Sequence, residues 1–199
     1  MKYKIACLIL AAGKGTRMGS QKQLLTWNDT TLIGNMIDTA SAVFDDDIFV
    51  VLGSGKNEIQ NELSKYNIQE IHNPYWKQGI GSSISVGIKK LESYQGVLIL
   101  LADQVFLEVG HLKKMVQSFE FNSGKIFAST YKNMQHPAVP MLFDQIYFDA
   151  LMELNGNIGA KNILKMYKKS VVQIDTAIDF MDVDTPEDYA KYSEKNKLK

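Results

Sequence analysis

Residues 5–22 read IACLILAAGKGTRMGSQK, so an apolar run passes directly into a loop of small and cationic residues. Three glycines, two lysines and an arginine lie between positions 13 and 22. Small residues let backbone N–H groups approach an anion closely, and the cations neutralise its charge. The sequence therefore predicts a buried strand that ends in a phosphate-binding loop.

Apolar runs alternate with helical patterns along the chain. The runs Ile5–Leu10, Ile48–Leu52 and Val97–Leu101 are typical of strands that are buried on both faces of a parallel sheet. Apolar residues spaced by three and four predict helices at 32–44, 57–66, 82–91 and around 112–119. This alternation predicts an α/β fold with a mostly parallel sheet, in which ligands bind beyond the carboxyl ends of the strands.

Length and composition exclude several classes of protein. The chain has 199 residues, of which 45% are hydrophobic and 22% charged, so disordered, collagen-like and coiled-coil chains are excluded. Lys plus Arg and Asp plus Glu are both 22, so the net charge is zero and no nucleic-acid partner is expected. The single cysteine, Cys7, permits no internal disulfide. With no membrane-length apolar run and no signal pattern, we expect a cytoplasmic location and no membrane partner.

Two common phosphate loops do not fit the stretch after the first strand. A Walker loop ends in Gly-Lys-Ser/Thr, whereas Gly19 is followed by Ser20-Gln21-Lys22. A dinucleotide fingerprint needs G-x-G-x-x-G. Here Gly13 and Gly15 fit, but the third glycine, Gly19, comes one residue later than the pattern requires. A tight surface turn with cations facing solvent remains the alternative.

The loop is similar to the signature of nucleotidyltransferases that activate sugars, isoprenoid precursors and molybdopterin. Within them it resembles the molybdenum cofactor cytidylyltransferase group of the molybdopterin nucleotidyltransferase family. Four later segments resemble the same family in the same order: residues 73–83, 101–104, 136–137 and 182–188. The resemblance implies a Rossmann-like three-layer α/β/α nucleotidyltransferase fold in one domain, 1–199. Its nucleotide-binding part would cover about 1–105 and its acceptor-binding part about 106–185.

The resemblance also implies roles for individual residues. Arg17, Lys22 and Asp103 would be catalytic, and Asp103 with Asp184 would hold Mg²⁺, with Asp182 as the alternative second ligand. Nucleotide contacts are expected from Leu10, Ala11, Ala12, Gly13, Gly15, Arg17, Lys22, Asn73, Gly81, Ser82 and Ser83. Several of these side chains have plainer interpretations as well. Asp184 before Thr185-Pro186, and Ser82 and Ser83 before their helix, are equally compatible with helix N-caps.

Two features of the loops bear on the base and the acceptor. Ala12 occupies the position at which similar guanylyltransferases have glycine. Its methyl group narrows the space for a purine and suits a pyrimidine, so CTP is favoured over GTP. Gln104 after Asp103 also resembles the cytidylyltransferase branch of the family. The acceptor is expected to be molybdopterin, with His136 and Asn157 lining its pocket. Asn157 and Lys161 replace an acid and an arginine of the family pattern, which puts the acceptor in doubt. The loop sequence Lys14-Gly15-Thr16 is more similar to that of sugar-nucleotide enzymes than to the usual loop of the cofactor enzymes.

The expected reaction moves CMP from CTP to the terminal phosphate of molybdenum cofactor and releases pyrophosphate. A phosphate monoester is largely dianionic at neutral pH, so no general base is required. His72 and His111 are accordingly interpreted as surface or structural residues, with His111 on the polar side of its helix. The alternatives are a GTP-dependent molybdopterin guanylyltransferase, a sugar-phosphate nucleotidyltransferase, or a nucleotide-binding chaperone that hands cofactor to a client molybdoenzyme.

Overall fold

A mixed sheet of seven strands runs through the part of the chain that the computed structural model describes, namely residues 2–15, Met18 and residues 21–197. The strands in chain order are β1 (Ile5–Leu10), β2 (Thr26–Trp27), β3 (Thr30–Thr31), β4 (Ile48–Leu52), β5 (Gln69–His72), β6 (Gly96–Leu101), β7 (Ile126–Thr130), β8 (Ala138–Asp144) and β9 (Val171–Asp175). Strands β2 and β3 form a separate antiparallel hairpin. The large sheet has the order β5-β4-β1-β6-β8-β7-β9.

Strand β1 lies at the centre of the sheet between two parallel neighbours. It pairs in parallel with β4 and β6, and β4 pairs in parallel with β5. Strand β8 runs antiparallel to both β6 and β7, while β9 is parallel to β7. The predicted mostly parallel mixed sheet is therefore confirmed, and the carboxyl ends of β1, β4 and β6 meet at one edge.

Helices cover both faces of the sheet. They are α1 (Leu32–Ser41), α2 (Lys56–Leu63), α3 (Ile80–Ile88), α4 (Val109–Ser118), α5 (Phe148–Met152), α6 (Lys161–Met166) and α7 (Pro186–Lys197). Alternate side chains of β1 enter two separate cores: Ala6 and Leu8 pack towards α3, α5 and α6, whereas Cys7 and Ile9 pack towards α1, α2 and α4. This arrangement confirms the predicted three-layer α/β/α architecture.

The segment just before the last helix lies at the edge of the sheet where β1 and β6 end. Val183, just before α7, is fully buried and packs with Trp27, Leu32, Val105 and Phe106. This small third cluster places residues 182–184 beside the loops that follow β1 and β6. No helix in the described part of the chain has the length and apolarity that a membrane span requires.

Some local predictions differ from the structure. Helix α1 ends at Ser41, three residues before the predicted end, because the backbone turns at Ala42 and Val43 to bring Phe44 into the core. His111 was expected on the polar side of its helix, but it is buried, and that placement is wrong. Its ring Nε2 lies 2.7 Å from the Ser129 hydroxyl, so the protein interior supplies its polar partner.

Candidate active site

An open cavity of about 480 Å³ lies at the carboxyl ends of β1 and β6, where an open α/β sheet binds its ligands. Its wall includes much of the set predicted from the sequence. The predicted residues that line it are Leu10, Ala11, Ala12, Gly13, Gly15, Lys22, Ser83, Asp103, Asp182 and Asp184. Arg17 lies outside the described residues.

The charged centre of the cavity joins three distant parts of the chain. The Lys22 ammonium donates to Asp103 Oδ2 at 2.5 Å and to Asp184 Oδ1 at 2.9 Å. Side-chain exposure is 13% for Lys22, 17% for Asp103 and 33% for Asp184. Burying two carboxylates beside one ammonium costs desolvation energy that ordinary folding does not require, which favours a function for this cluster.

Asp103 is held at the end of β6 by its neighbours on both sides. The Ala102 N–H donates to the Leu10 carbonyl at 3.3 Å, which continues the β1–β6 pairing past the strand end. The Gln104 side chain turns away from the cavity and donates through Nε2 to the Val139 carbonyl at 3.0 Å. Gln104 therefore fixes the loop, and it is not among the described residues that line the cavity.

Asp184 reaches the cavity because the residues on either side of it are fixed. The buried Val183 donates its N–H to the Asp103 carbonyl at 3.4 Å. Thr185 Oγ1 accepts from the Asp188 N–H at 3.1 Å, and Asp188 Oδ2 accepts from the Thr185 N–H at 3.0 Å, which is a reciprocal capping box. Thr185 is the N-cap of α7, so the interpretation of Asp184 as that cap is wrong, and its carboxylate faces Lys22 instead.

The electrostatics of the cluster favour a charged lysine. Burial lowers the pKa of Lys22, but the adjacent charges and hydrogen bonds of Asp103 and Asp184 outweigh burial, so its pKa is raised above the usual value. Asp182 is half-buried on the same wall, and burial followed by the charges of Asp103 and Asp184 raises its pKa. The Lys22 ammonium is therefore paired directly with two carboxylates, and the Asp182 carboxyl lies on the same wall.

Three predicted nucleotide contacts lie behind the cavity wall. Asn73 is fully buried; its Nδ2 donates to Ser82 Oγ at 2.9 Å and to Ser83 Oγ at 3.0 Å, and its Oδ1 accepts from the Tyr75 N–H. The Ser82 hydroxyl donates to the Gly79 carbonyl at 2.8 Å, and Gly81 packs so closely on Asn155 that a Cβ would lie 2.6 Å from the Asn155 carbonyl oxygen. These three residues position the wall, while Ser83 lines it.

The structure also tests the alternative interpretation of Ser82 and Ser83 as helix N-caps. Both serines lie inside α3, which begins at Ile80, and Gly79 occupies the N-cap position. Their alternative interpretation as N-caps is therefore wrong. Their hydroxyl groups instead connect the start of α3 to Asn73, next to the end of β5.

Neither of the two predicted acceptor residues is among the described residues that line the cavity. His136 is exposed and is not among the described residues that line the cavity. Asn157 is exposed and lies next to Gly79, a residue of the cavity rim: its Oδ1 is 2.4 Å from the position that a Cβ on Gly79 would occupy. Gly79 itself has φ +107°, a conformation that favours glycine, so the rim depends on a missing side chain at this position.

The cavity also has walls that sequence reasoning missed. Gln23 forms part of one wall and is 5% exposed, and Trp76 forms another against Gly53. Lys14 and Lys77 add cationic side chains at the cavity. Trp76 and Lys77 belong to the segment 73–83 that carried the resemblance, so their position in the motif was an available signal. No pattern in the sequence indicated that Gln23 lines the cavity.

The family model described as the MobA-like NTP transferase domain matches residues 7–172, which include most of β1, its loop and β6. The chain belongs to this family. A MobA-like NTP transferase is a nucleotidyltransferase, so the enzyme class predicted from the loop is confirmed. The loop after β1 is thus part of a family fold, and the tight-surface-turn alternative is not needed to explain it.

Relatives of this MobA-like NTP transferase match nearly the whole chain. Purine catabolism protein PucB of Bacillus subtilis (strain 168) is 28% identical over 198 residues, covering 92% of each chain. The molybdenum cofactor cytidylyltransferase of Escherichia coli (strain K12) is 25% identical over 197 residues, covering 96% of each. A solved nucleotidyl transferase from Methanothermobacter superposes with a TM-score of 0.84 at 18% identity, covering 98% of both chains, which supports the fold.

Proposed function

We propose that this chain transfers a cytidylyl group from CTP to the terminal phosphate of a molybdopterin-type acceptor and releases pyrophosphate. The observation that carries the proposal is the meeting of Lys22, Asp103 and Asp184 beside the small-residue loop after β1. Residues of about 1–105 would bind the nucleotide, and residues of about 106–185 would bind the acceptor. A client molybdoenzyme and a cytoplasmic location belong to the same proposal.

The reaction requires charge neutralisation more than proton transfer. An oxygen of the acceptor phosphate forms a bond to the α-phosphorus of CTP, and the bond between that phosphorus and the β-phosphate oxygen breaks. Lys22 would offset negative charge on the triphosphate as it builds in the transition state, and Arg17 would have the same task near the leaving pyrophosphate. The attacking phosphate is largely dianionic at neutral pH, so the site needs no base.

The carboxylates at the cavity floor fit a divalent cation such as Mg²⁺. Asp103 Oδ1 is buried and accepts no hydrogen bond from any described residue, so this carboxylate retains ligand capacity. Mg²⁺ is bound by one or two carboxylates together with substrate phosphates and water. Among residues 2–15, 18 and 21–197 no cluster of three or more His, Cys, Asp or Glu side chains suits a metal. Asp103 and Asp184 would hold the ion, which neutralises phosphate charge.

The proposal of CTP as the nucleotide and of molybdopterin as the acceptor rests on one residue of the cavity wall and on one relative. Ala12 lines the cavity, and its methyl group narrows the space where similar guanylyltransferases have glycine. The match to the Escherichia coli cytidylyltransferase over most of both chains supports CTP and molybdopterin. Lys14-Gly15-Thr16 favours a second candidate, a sugar-phosphate acceptor, because this version of the loop is closer to that of sugar-nucleotide enzymes.

Pyrophosphate release tests the proposal directly. The chain is incubated with Mg²⁺ and with CTP, GTP or UTP, each with molybdopterin or a panel of sugar phosphates. We expect turnover with CTP and molybdopterin. Turnover with a sugar phosphate alone would support the second candidate, and no turnover with CTP or GTP would contradict the proposal.

Substitutions locate the chemistry within the cavity. Lys22→Ala and Asp103→Ala should each lower turnover by orders of magnitude while the fold is retained. Lys65→Ala is the matched control, because the Lys65 ammonium also bonds a carboxylate, that of Glu62, at 2.5 Å, but at the surface. Near-normal activity of either cavity variant would show that the site assignment is wrong.

A further inference from the structure

Gln23 lies in the cavity wall and is hydrogen-bonded to the loop after β1. Its side-chain Nε2 donates to the Ala11 carbonyl at 2.9 Å and to the Gly13 carbonyl at 2.8 Å. Carbonyl oxygens only accept hydrogen bonds, so these two contacts fix the orientation of the amide. Its Oε1 is buried and accepts no hydrogen bond from a described residue. The polar contacts that the described residues give this side chain are therefore the two Nε2 bonds.

The two fixed carbonyls determine where the neighbouring N–H groups point. In a trans peptide the C=O bond and the following N–H bond lie in the peptide plane and point in opposite directions. Because the carbonyls of Ala11 and Gly13 face Gln23, the N–H groups of Ala12 and Lys14 face away from it. Ala12 and Lys14 both line the cavity. Neither N–H donates to any residue that the structure describes.

We propose that Gln23 is a positioning residue that presents the N–H groups of Ala12 and Lys14 to the phosphate oxygens of the nucleotide. The inference rests on the proposed function and deepens it. Preorganised backbone donors stabilise phosphate charge because they need no reorganisation when the substrate binds. Without the Gln23 amide, both carbonyls lose their partner, and either peptide can rotate to turn a carbonyl oxygen towards the triphosphate.

Equilibrium binding of pyrophosphate and of CTP, measured by calorimetry, tests this role in the Gln23→Met variant. Methionine keeps the length of the side chain and removes the donor. Hydrogen bonds to charged groups are stronger than those between neutral groups, so the loss of properly directed N–H groups should weaken the binding of both ligands by about tenfold or more. The two affinities should fall by a similar factor, and KM for CTP should rise more than kcat falls.

Gln145→Met is the matched control. The Gln145 Nε2 also donates to a backbone carbonyl, that of Glu92 at 2.8 Å, but Gln145 lies away from the cavity. The loss of this hydrogen bond should leave the affinities for pyrophosphate and for CTP unchanged. A Gln23→Met protein that binds pyrophosphate as tightly as the unchanged chain would overturn the inference. Weakened CTP binding with normal pyrophosphate binding would also overturn it, because the N–H groups would then serve the base or ribose.

A measurement on the unchanged chain covers the case in which Gln23→Met does not fold. The backbone N–H resonances of Ala12 and Lys14 should shift when pyrophosphate is added, in a titration followed by NMR. Unmoved resonances with bound pyrophosphate would overturn the role of Gln23. If the unchanged chain binds neither pyrophosphate nor CTP, the proposed function fails as well, and the two failures are thereby distinguished.

Discussion

His111→Gln should remove a loss of stability that the protein suffers in acid. Burial, followed by the nearby positive charge of Lys114, lowers the pKa of His111 from the usual 6.5 to about 4. The ring Nε2 lies 2.7 Å from Ser129 Oγ, and that hydroxyl donates to the Pro140 carbonyl at 3.0 Å. Ser129 Oγ therefore accepts from His111 Nε2–H, so the neutral ring is the Nε2–H tautomer.

The sign and size of the effect follow from this difference in pKa. Between pH 6.5 and about 4 the unfolded chain takes up a proton at His111 that the folded protein resists, so the free energy of unfolding falls as pH falls. Above pH 6.5 the full stability is present. Each pKa unit is worth about 1.4 kcal/mol, so the full loss is about 3 kcal/mol.

Urea denaturation of the unchanged chain and of His111→Gln at pH 7, 5.5 and 4 measures the effect. The difference in unfolding free energy between the two proteins should move by about 3 kcal/mol in favour of the variant from pH 7 to pH 4. His72→Gln, which changes an exposed histidine, controls for the loss of a histidine as such. A difference between His111→Gln and the unchanged chain that stays constant with pH would refute the reasoning, even if the variant is less stable overall.

Three further predictions concern the wall of the cavity, the cap of the last helix and the buried thiol. Gly53→Ala places a Cβ 2.5 Å from Trp76 Cβ, so it should weaken CTP binding in a titration and destabilise the fold by about 1–3 kcal/mol; unchanged binding would show that Trp76 is not a nucleotide wall. Thr185→Ala removes the cap shared with Asp188 and should lower the urea-measured stability by about 1 kcal/mol, whereas no change would mean that α7 does not contribute to the transition. Burial raises the pKa of the Cys7 thiol, so a disulfide reagent should label it only after denaturation; rapid labelling of the folded protein would contradict its placement in β1.

The parts of the fold that the sequence predicted are those where local pattern and tertiary position agree. The runs at β1, β4 and β6 are apolar throughout because both faces of these strands are buried, so pattern alone identifies them. The rule that ligands bind at carboxyl ends of strands then pointed to the correct edge of the sheet. The prediction of the fold therefore needed no contact information.

His111 and Gln23 show where sequence reasoning stops. His111 is four residues before Met115 and so shares its buried face, a signal that was available in the helical spacing. Its polar side chain was read as a surface feature because its partner, Ser129, is on a distant strand. Gln23 lies in a short turn without periodicity, and its task depends on how the loop before it folds back. Such long-range polar contacts leave no mark in a single sequence.

Lys22 serves the fold as well as the proposed chemistry. Its ammonium ties the turn after β1 to Asp103 at the end of β6 and to Asp184 before α7, so it holds three chain segments around the cavity. A triphosphate that attracts this ammonium would draw it away from the carboxylates, and a divalent cation would then balance the negative charge left on Asp103 and Asp184. Cation and nucleotide would therefore favour each other's binding. Loss of activity in a Lys22 variant consequently identifies a catalytic role only if the urea-measured stability of that variant is normal.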